Sequence, residues 1–213
     1  MLHDQLSLLG RDDAPLLDEA FGTLQRRELA HGAWIDYAPG WLRGHTALYD
    51  ALVRTTAFRA LEERMYDRTV QVPRLIASLP DDGPGHPVID AMGSVLCQRY
   101  RCAFTRVSLA LYRDGRDSVA YHGDRVARDL PEALVATVSL GTPRRFLLRV
   151  RGAERTGREP SIAYKLGWGD LLVMGGSCQR TWQHAIPKVA AAGPRIAIMF
   201  RPDFRAPGVS PSE

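Results

Sequence analysis

Arg195-Ile196-Ala197-Ile198-Met199-Phe200-Arg201 is the stretch from which the fold is read. Side chains alternate across an extended chain, so Ile196, Ile198 and Phe200 share one face and enter a core. Arg195, Ala197, Met199 and Arg201 share the other. Two arginines then point into one space at the ends of a strand segment of roughly 20 Å. A buried cation needs a partner. Either the pair takes internal carboxylates or it clamps a small dicarboxylate between its guanidinium groups.

Other short strands surround this one. Thr105–Arg113 alternates, with Val107, Leu109 and Leu111 on one side and Ser108, Ala110 and Tyr112 on the other. Further strands are predicted at Val119–His122, Leu134–Leu140, Arg145–Val150, Ser161–Leu166 and Asp170–Met174, with glycines between several of them. Ahead of them, Ala33–Tyr37 reads as a strand and Ala14–Phe21 as a short helix or an extended segment. His45–Arg54 has helical spacing, and Glu62–Arg74 reads as a hairpin or lid. Pro80–Pro87 is a loop. A helix is predicted from Pro87 to about Tyr100, with Ile89, Met92, Leu96 and Tyr100 on one face and proline in its first turn. Trp34 and Trp41 read as core anchors. The pattern is mainly β, and many short strands with regular turns point to a sandwich, barrel or jelly roll.

The 213 residues, 45% of them hydrophobic, suffice for one sizeable core. No apolar run reaches the length of a membrane span. The start of the chain lacks a basic and apolar leader, so a cytoplasmic location is expected. Cys97, Cys102 and Cys178 contain no C-x-x-C and are expected to be reduced thiols. Of the 28 basic residues 26 are arginine, and the net charge is +4. That balance suits phosphate recognition without requiring it.

The candidate chemistry centres on Tyr121-His122-Gly123-Asp124 and the distant His184. On an extended chain His122 and Asp124 reach the same side. With His184 returned by the fold, they form the two-histidine, one-carboxylate set that binds Fe(II) and leaves coordination positions open. Taken alone, His-x-Asp equally fits a loop histidine beside a surface aspartate.

His122-x-Asp124, His184, and Arg195 with Arg201 six residues on, taken together, resemble the AlkB-like Fe(II)/2-oxoglutarate dioxygenases, a nucleic-acid demethylase family. Leu111-Tyr112-Arg113-Asp114-Gly115, Val138-Ser139-Leu140-Gly141, Arg145-Phe146, Gly169–Gly176 and Trp182–Pro187 follow in the family's order, and the likeness covers roughly residues 60–203. The resemblance implies an α+β, mainly β fold: a double-stranded β-helix (jelly-roll, cupin-like) core with N-terminal helices and a nucleotide-recognition lid. The chain divides accordingly into an N-terminal extension over 1–60, a lid and helix over 61–104 and a catalytic core over 105–203, a single catalytic domain expected to be a monomer, while the Pro, Gly and Ser content after Asp203 reads as a disordered tail over 204–213.

It further implies that His122, Asp124 and His184 bind Fe(II), that Arg195 and Tyr112 hold 2-oxoglutarate, and that Arg201 steadies the keto acid or the metal shell. O2 is the third reactant, and alkylated DNA or RNA the substrate. Arg68, Arg74 and Arg125 are candidates for phosphate contacts, and each also reads as a solvated charge. Tyr66 is a candidate for stacking on the base, with hairpin packing as its plain alternative, and Trp34 is a weaker candidate. The chain departs from the family at Ala110 and Ala197, where asparagines help hold the co-substrate. Losing both costs roughly 1 kcal/mol each. These alanines keep open a related oxygenase acting on a protein or small molecule. A non-catalytic β-fold binding module is the reading from another class.

Overall fold

The computed structural model describes residues 14–65, 68–124, 130–153 and 161–202, with the side chains of 61–71 outside the description. In chain order the elements are β1 (Leu16–Leu17), β2 (Gln25–Glu28), β3 (Ala33–Ala38), β4 (Leu42–Arg43), α1 (His45–Thr55), β5 (Arg59–Met65), β6 (Arg68–Leu79), α2 (Pro87–Tyr100), β7 (Arg106–Tyr112), β8 (Val119–His122), β9 (Val135–Gly141), β10 (Arg144–Val150), β11 (Ile162–Leu166), β12 (Asp170–Gly176), α3 (Cys178–Thr181), β13 (Trp182–Ile186) and β14 (Arg195–Arg201).

Two antiparallel sheets dominate. The large one runs β2-β3-β12-β9-β14-β7-β6-β5 and the small one β11-β10-β13-β8, while β1 and β4 form a separate pair. Ile196, Ile198 and Phe200 of β14 pack with Leu109, Val138 and Leu140 against Leu48 and Leu52 of α1 and Ile89, Met92 and Leu96 of α2. The other face of the large sheet presents Ala110, Tyr112, Val135, Leu172, Met174 and Ala197 to Phe146, Leu148, Leu166, Trp182 and Ile186, which come from the small sheet and its approach. Helices thus cover one face of the large sheet and the small sheet covers the other. The period-2 alternation of β14 and β7 sorts their side chains between these two cores.

α2 begins where proline at the first helical position predicts it. The His86 ring accepts from the Val88 N–H at 3.2 Å, and Arg101 closes the helix in a left-handed conformation. The predicted hairpin is β5 and β6, whose strand continues to Leu79 and so adds two full strands to the large sheet. β2 and β3 extend the same sheet at its opposite edge. Ala14–Phe21 contains only the short strand Leu16–Leu17 and no helix. β13 is not apparent from the sequence, because Gln183 and His184 interrupt its apolar pattern. Trp41 is fully buried, and Trp34 stacks on Tyr100 with ring centroids 6.1 Å apart. All three cysteines are free thiols. No helix among the described residues is long and apolar enough to cross a membrane. The expected tail lies outside the described residues.

Candidate active site

β8 and β13 are neighbours in the small sheet, and their register sets His122 directly opposite His184. The two rings lie 4.3 Å apart between centroids. Phe146 stacks on His184 at 5.3 Å and 14°, which fixes the imidazole plane. The Nδ1 of His122 lies 2.8 Å from the Ala120 carbonyl. A carbonyl only accepts, so Nδ1 carries the proton and Nε2 keeps its lone pair. Burial holds His122 below the usual histidine range. Burial, with the neighbouring His122, holds His184 well below it. Both rings are neutral at pH 7, the form in which imidazole binds a metal.

Asp124 follows β8 by two residues. Its backbone N–H donates to Gln179 Oε1 at 3.0 Å, and its carboxylate accepts from the Nε of Arg201. Only glycine fits between the two candidate ligands: a Cβ at position 123 would stand 2.6 Å from the Gln179 carbonyl oxygen. Arg201 also donates to Ser108 Oγ at 2.7 Å. Its guanidinium therefore holds the Asp124 carboxylate and does not close a clamp with Arg195. Among the described residues no three His, Cys, Asp or Glu side chains converge into a metal cage. The fold brings the two histidines together, with Asp124 tied to Arg201 beside them.

A cavity of about 210 Å³ lies between the sheets, lined by both histidines, Tyr112, Arg74, Arg195 and Arg201 among others. Among the described residues its lining holds three arginines and no carboxylate. Asp124 instead lines an adjoining cavity of about 370 Å³, which shares Ser108 and Arg201 with the first. Arg195 is 1% exposed. Its Nη2 donates to Ser139 Oγ at 2.7 Å, its guanidinium lies 5.2 Å from the Tyr112 ring centroid, and Nε and Nη1 have no partner. Burial depresses its pKa from the usual arginine value. Arg144 flanks the same tyrosine at 5.9 Å, with its guanidinium committed to the carbonyls of Asp114, Asp117 and Pro187. Arg74 is half-buried and lines the cavity, with Nη1 buried and without a hydrogen-bond partner.

Ala110 and Ala197 are register partners on β7 and β14, and Ser139 stands opposite Ala197 on β9. Sequence reasoning missed the roles of Ser139, Ser108, Phe146, Gln179 and Arg144. The two serines carried a signal, since each places a hydroxyl on the cavity side of a strand rich in apolar residues. Trp34 is removed as a stacking candidate: it packs with Tyr100 against the helical layer, on the opposite face of the large sheet from the histidines. Tyr66 and Arg125 lie outside the described residues, as does the side chain of Arg68.

The family model described as the 2OG-Fe(II) oxygenase superfamily matches residues 81–201. The chain belongs to that superfamily. It is an AlkB-like oxygenase, homologous to the ALKBH proteins. The alpha-ketoglutarate-dependent dioxygenase alkB homolog 3 of Bos taurus is 26% identical over 192 residues, covering 79% of this chain and 66% of its own. The DNA oxidative demethylase ALKBH2 of Arabidopsis thaliana is 33% identical over 143 residues, covering 58% and 45%. The oxygenase thus spans from under half to about two thirds of the length of these relatives. Among solved structures, that of OsALKBH1 superposes with a TM-score of 0.54 at 17% identity, over 84% of this chain and all of its own. An oxidoreductase of the 2OG-Fe(II) oxygenase family from Burkholderia pseudomallei gives 0.51 at 12% identity, over 75% and 82%. The α+β architecture, with its large antiparallel sheets, resembles the fold of these oxygenases.

Proposed function

We propose that this oxygenase catalyses Fe(II)- and 2-oxoglutarate-dependent oxidative demethylation of N-alkylated nucleobases in DNA or RNA. The observation that carries the reading is the buried Arg195, which faces the same cavity as the histidine pair with two of its nitrogens unpartnered. A dianionic keto acid supplies the carboxylate that this cavity lacks. In this reading the two facing sheets are the halves of a double-stranded β-helix, and β5 and β6 form its nucleotide-recognition lid.

By residue type the donor set fits Fe(II): two neutral imidazoles lie 4.3 Å apart between centroids, and a carboxylate stands two residues from one of them. His122, Asp124 and His184 would hold the metal. Fe(II), when bound, supplies open coordination positions and the redox chemistry by which 2-oxoglutarate and O2 are converted to succinate and CO2 as the methyl group is hydroxylated. The chain's own residues orient and exclude. Phe146 fixes the His184 plane, and Arg201 fixes the direction of the Asp124 carboxylate. Arg195, steadied by Ser139 and beside Tyr112, receives the distal carboxylate of the co-substrate. The hydroxymethyl product releases formaldehyde and the unmodified base, which must leave its stack to be reached. The relatives' printed names, a DNA oxidative demethylase among them, favour the same substrate class.

The apposed Ala110 and Ala197 favour a second reading, in which the altered pocket serves an oxygenase acting on a protein or small molecule. Succinate release measured with Fe(II), 2-oxoglutarate and O2 separates the two. Stimulation by a methylated oligonucleotide but not by its unmethylated twin is expected. Equal release with both would refute the demethylase reading.

A further inference from the structure

The outer face of the small sheet carries features that the candidate active site does not use. Arg144, Phe146 and Leu148 of β10 are buried between the sheets, so Arg145 is left on the outer face, and on β11 Ala163 and Lys165 are exposed in the same way. The register sets Arg145 directly opposite Lys165. Like charges in that position repel. Among the described residues neither has a carboxylate partner. A cavity of about 450 Å³ opens beside them, lined also by Thr142, Tyr164 and Val189 and, among the described residues, by no acidic one.

Trp168 stands next to this pair, with the Lys165 ammonium 5.7 Å from its ring centroid. The indole is 54% exposed. Its backbone is left-handed, with φ 48°, a conformation costly for any residue with a Cβ. The turn is clamped from both sides. The Trp168 N–H donates to the Gly141 carbonyl at 3.1 Å and the Gly169 N–H to the Ser139 carbonyl at 2.7 Å. A Cβ at Gly167 would stand 2.6 Å from Pro143 Cα, and one at Gly169 would stand 1.8 Å from the Leu42 carbonyl oxygen. Of these three residues only the middle one has room for a side chain, and it holds an aromatic ring in water at a backbone cost. An unneutralised cation pair and a strained, exposed tryptophan side by side mark a place kept for something other than folding.

We propose that Arg145, Lys165 and Trp168 form a contact surface for single-stranded nucleic acid. Phosphates settle between the two cations and a base stacks on the indole. The inference rests on the nucleic-acid reading above and extends it to nucleotides flanking the target. A phosphate relieves the cross-strand repulsion, and a π-face accepts any base, so the contact is indifferent to sequence. Arg145 is three residues along β10 from Leu148, the register partner of His184, or about 10 Å of strand. The surface lies on the opposite face of the sheet from the histidines, so it meets neighbouring nucleotides and not the reacting base.

The test compares the wild type with Trp168→Gly and with the double variant Arg145→Ala/Lys165→Ala, using a labelled 12-nucleotide single strand and a methylated trinucleotide. Trp168→Gly is expected to weaken binding of the 12-mer by about tenfold or more, with an unchanged or higher melting temperature, because glycine adopts that backbone freely. The double variant is expected to make the slope of log affinity against log salt shallower by about 1.4, the value for two phosphates on a single strand. Turnover of the trinucleotide should be unchanged in both. Unaltered 12-mer affinity and salt slope would overturn the surface while leaving the demethylase reading intact. Loss of 12-mer binding in the variants without turnover of any methylated strand would keep the surface and remove that reading. Equal competition by polyglutamate would show an acidic protein partner and overturn the assignment to nucleic acid.

Discussion

Arg195 is a buried cation whose hydrogen-bonding capacity is largely unused, with Ser139 as its polar anchor. Removing such a charge relieves a desolvation cost. Arg195→Met should therefore raise the unfolding free energy, by on the order of 1–3 kcal/mol, while abolishing 2-oxoglutarate turnover. Urea unfolding and succinate release on the same preparation check both halves, and a destabilised variant would show that the guanidinium serves the fold. The histidines predict a loss of stability in acid, the opposite of a histidine whose pKa is raised by a salt bridge. His45, His122 and His184 are all held below the usual histidine range by burial. On unfolding they return to about 6.5. Below that pH the unfolded chain binds more protons than the folded one, so stability falls as pH falls. The slope is about 1.4 kcal/mol per pH unit for each histidine that protonates only on unfolding. Urea midpoints of the metal-free protein should drop from pH 7.5 to pH 5.5, and a flat profile would contradict these assignments.

The strands show what was legible before the fold and what was not. α2 was readable because it buries one face against a single layer, and β14 because its alternate residues go to two different cores; each writes an unbroken period into the chain. β13 was not, since the middle of its three inward residues is a histidine, between Trp182 and Ile186, and its neighbour Gln183 bonds Arg149 on the outer face. The approach of His122 to His184 was anticipated from residue type, and an internal carboxylate for Arg201 was one of two readings, but its identity as Asp124 was not legible, because it depends on how two strands of different sheets end beside one another. Arg144 was invisible for a related reason: its three acceptors are carbonyls, which every residue carries. Close packing between elements is equally silent in sequence. A Cβ on Gly175 of β12 would lie 2.0 Å from the Trp34 ring on β3. Gly175→Ala should displace that indole from Tyr100 and cost about 1–3 kcal/mol, read as a lowered urea midpoint with an unchanged slope. An unaltered midpoint would mean that β3 yields without loss.

At the scale of the whole molecule, one sheet serves two cores. Its helical side is apolar throughout the cluster that α1 and α2 cover, and its other side surrenders part of its packing to a charged cavity. Ligands that fill this cavity should therefore act as part of the core. Anaerobic addition of Fe(II) and 2-oxoglutarate at a hundredfold excess over the dissociation constant should stabilise the protein by about 2.7 kcal/mol. For a chain of this size that raises the melting temperature by roughly 5–10 °C. No shift would argue against a preformed pocket.

β14 also acts as a ruler. Arg195 and Arg201 belong to one strand held on both sides, by β7 and β9, so the separation of their backbones is fixed by covalent geometry and not by how two elements happen to dock. Lengthening this strand by a single residue between them would turn one arginine from the cavity into the apolar cluster under the helices. Lengthening it by two would restore the facing and move the cations about 7 Å further apart. The distance between the proposed anchor of the keto acid and the arginine that holds Asp124 can therefore change only in double steps.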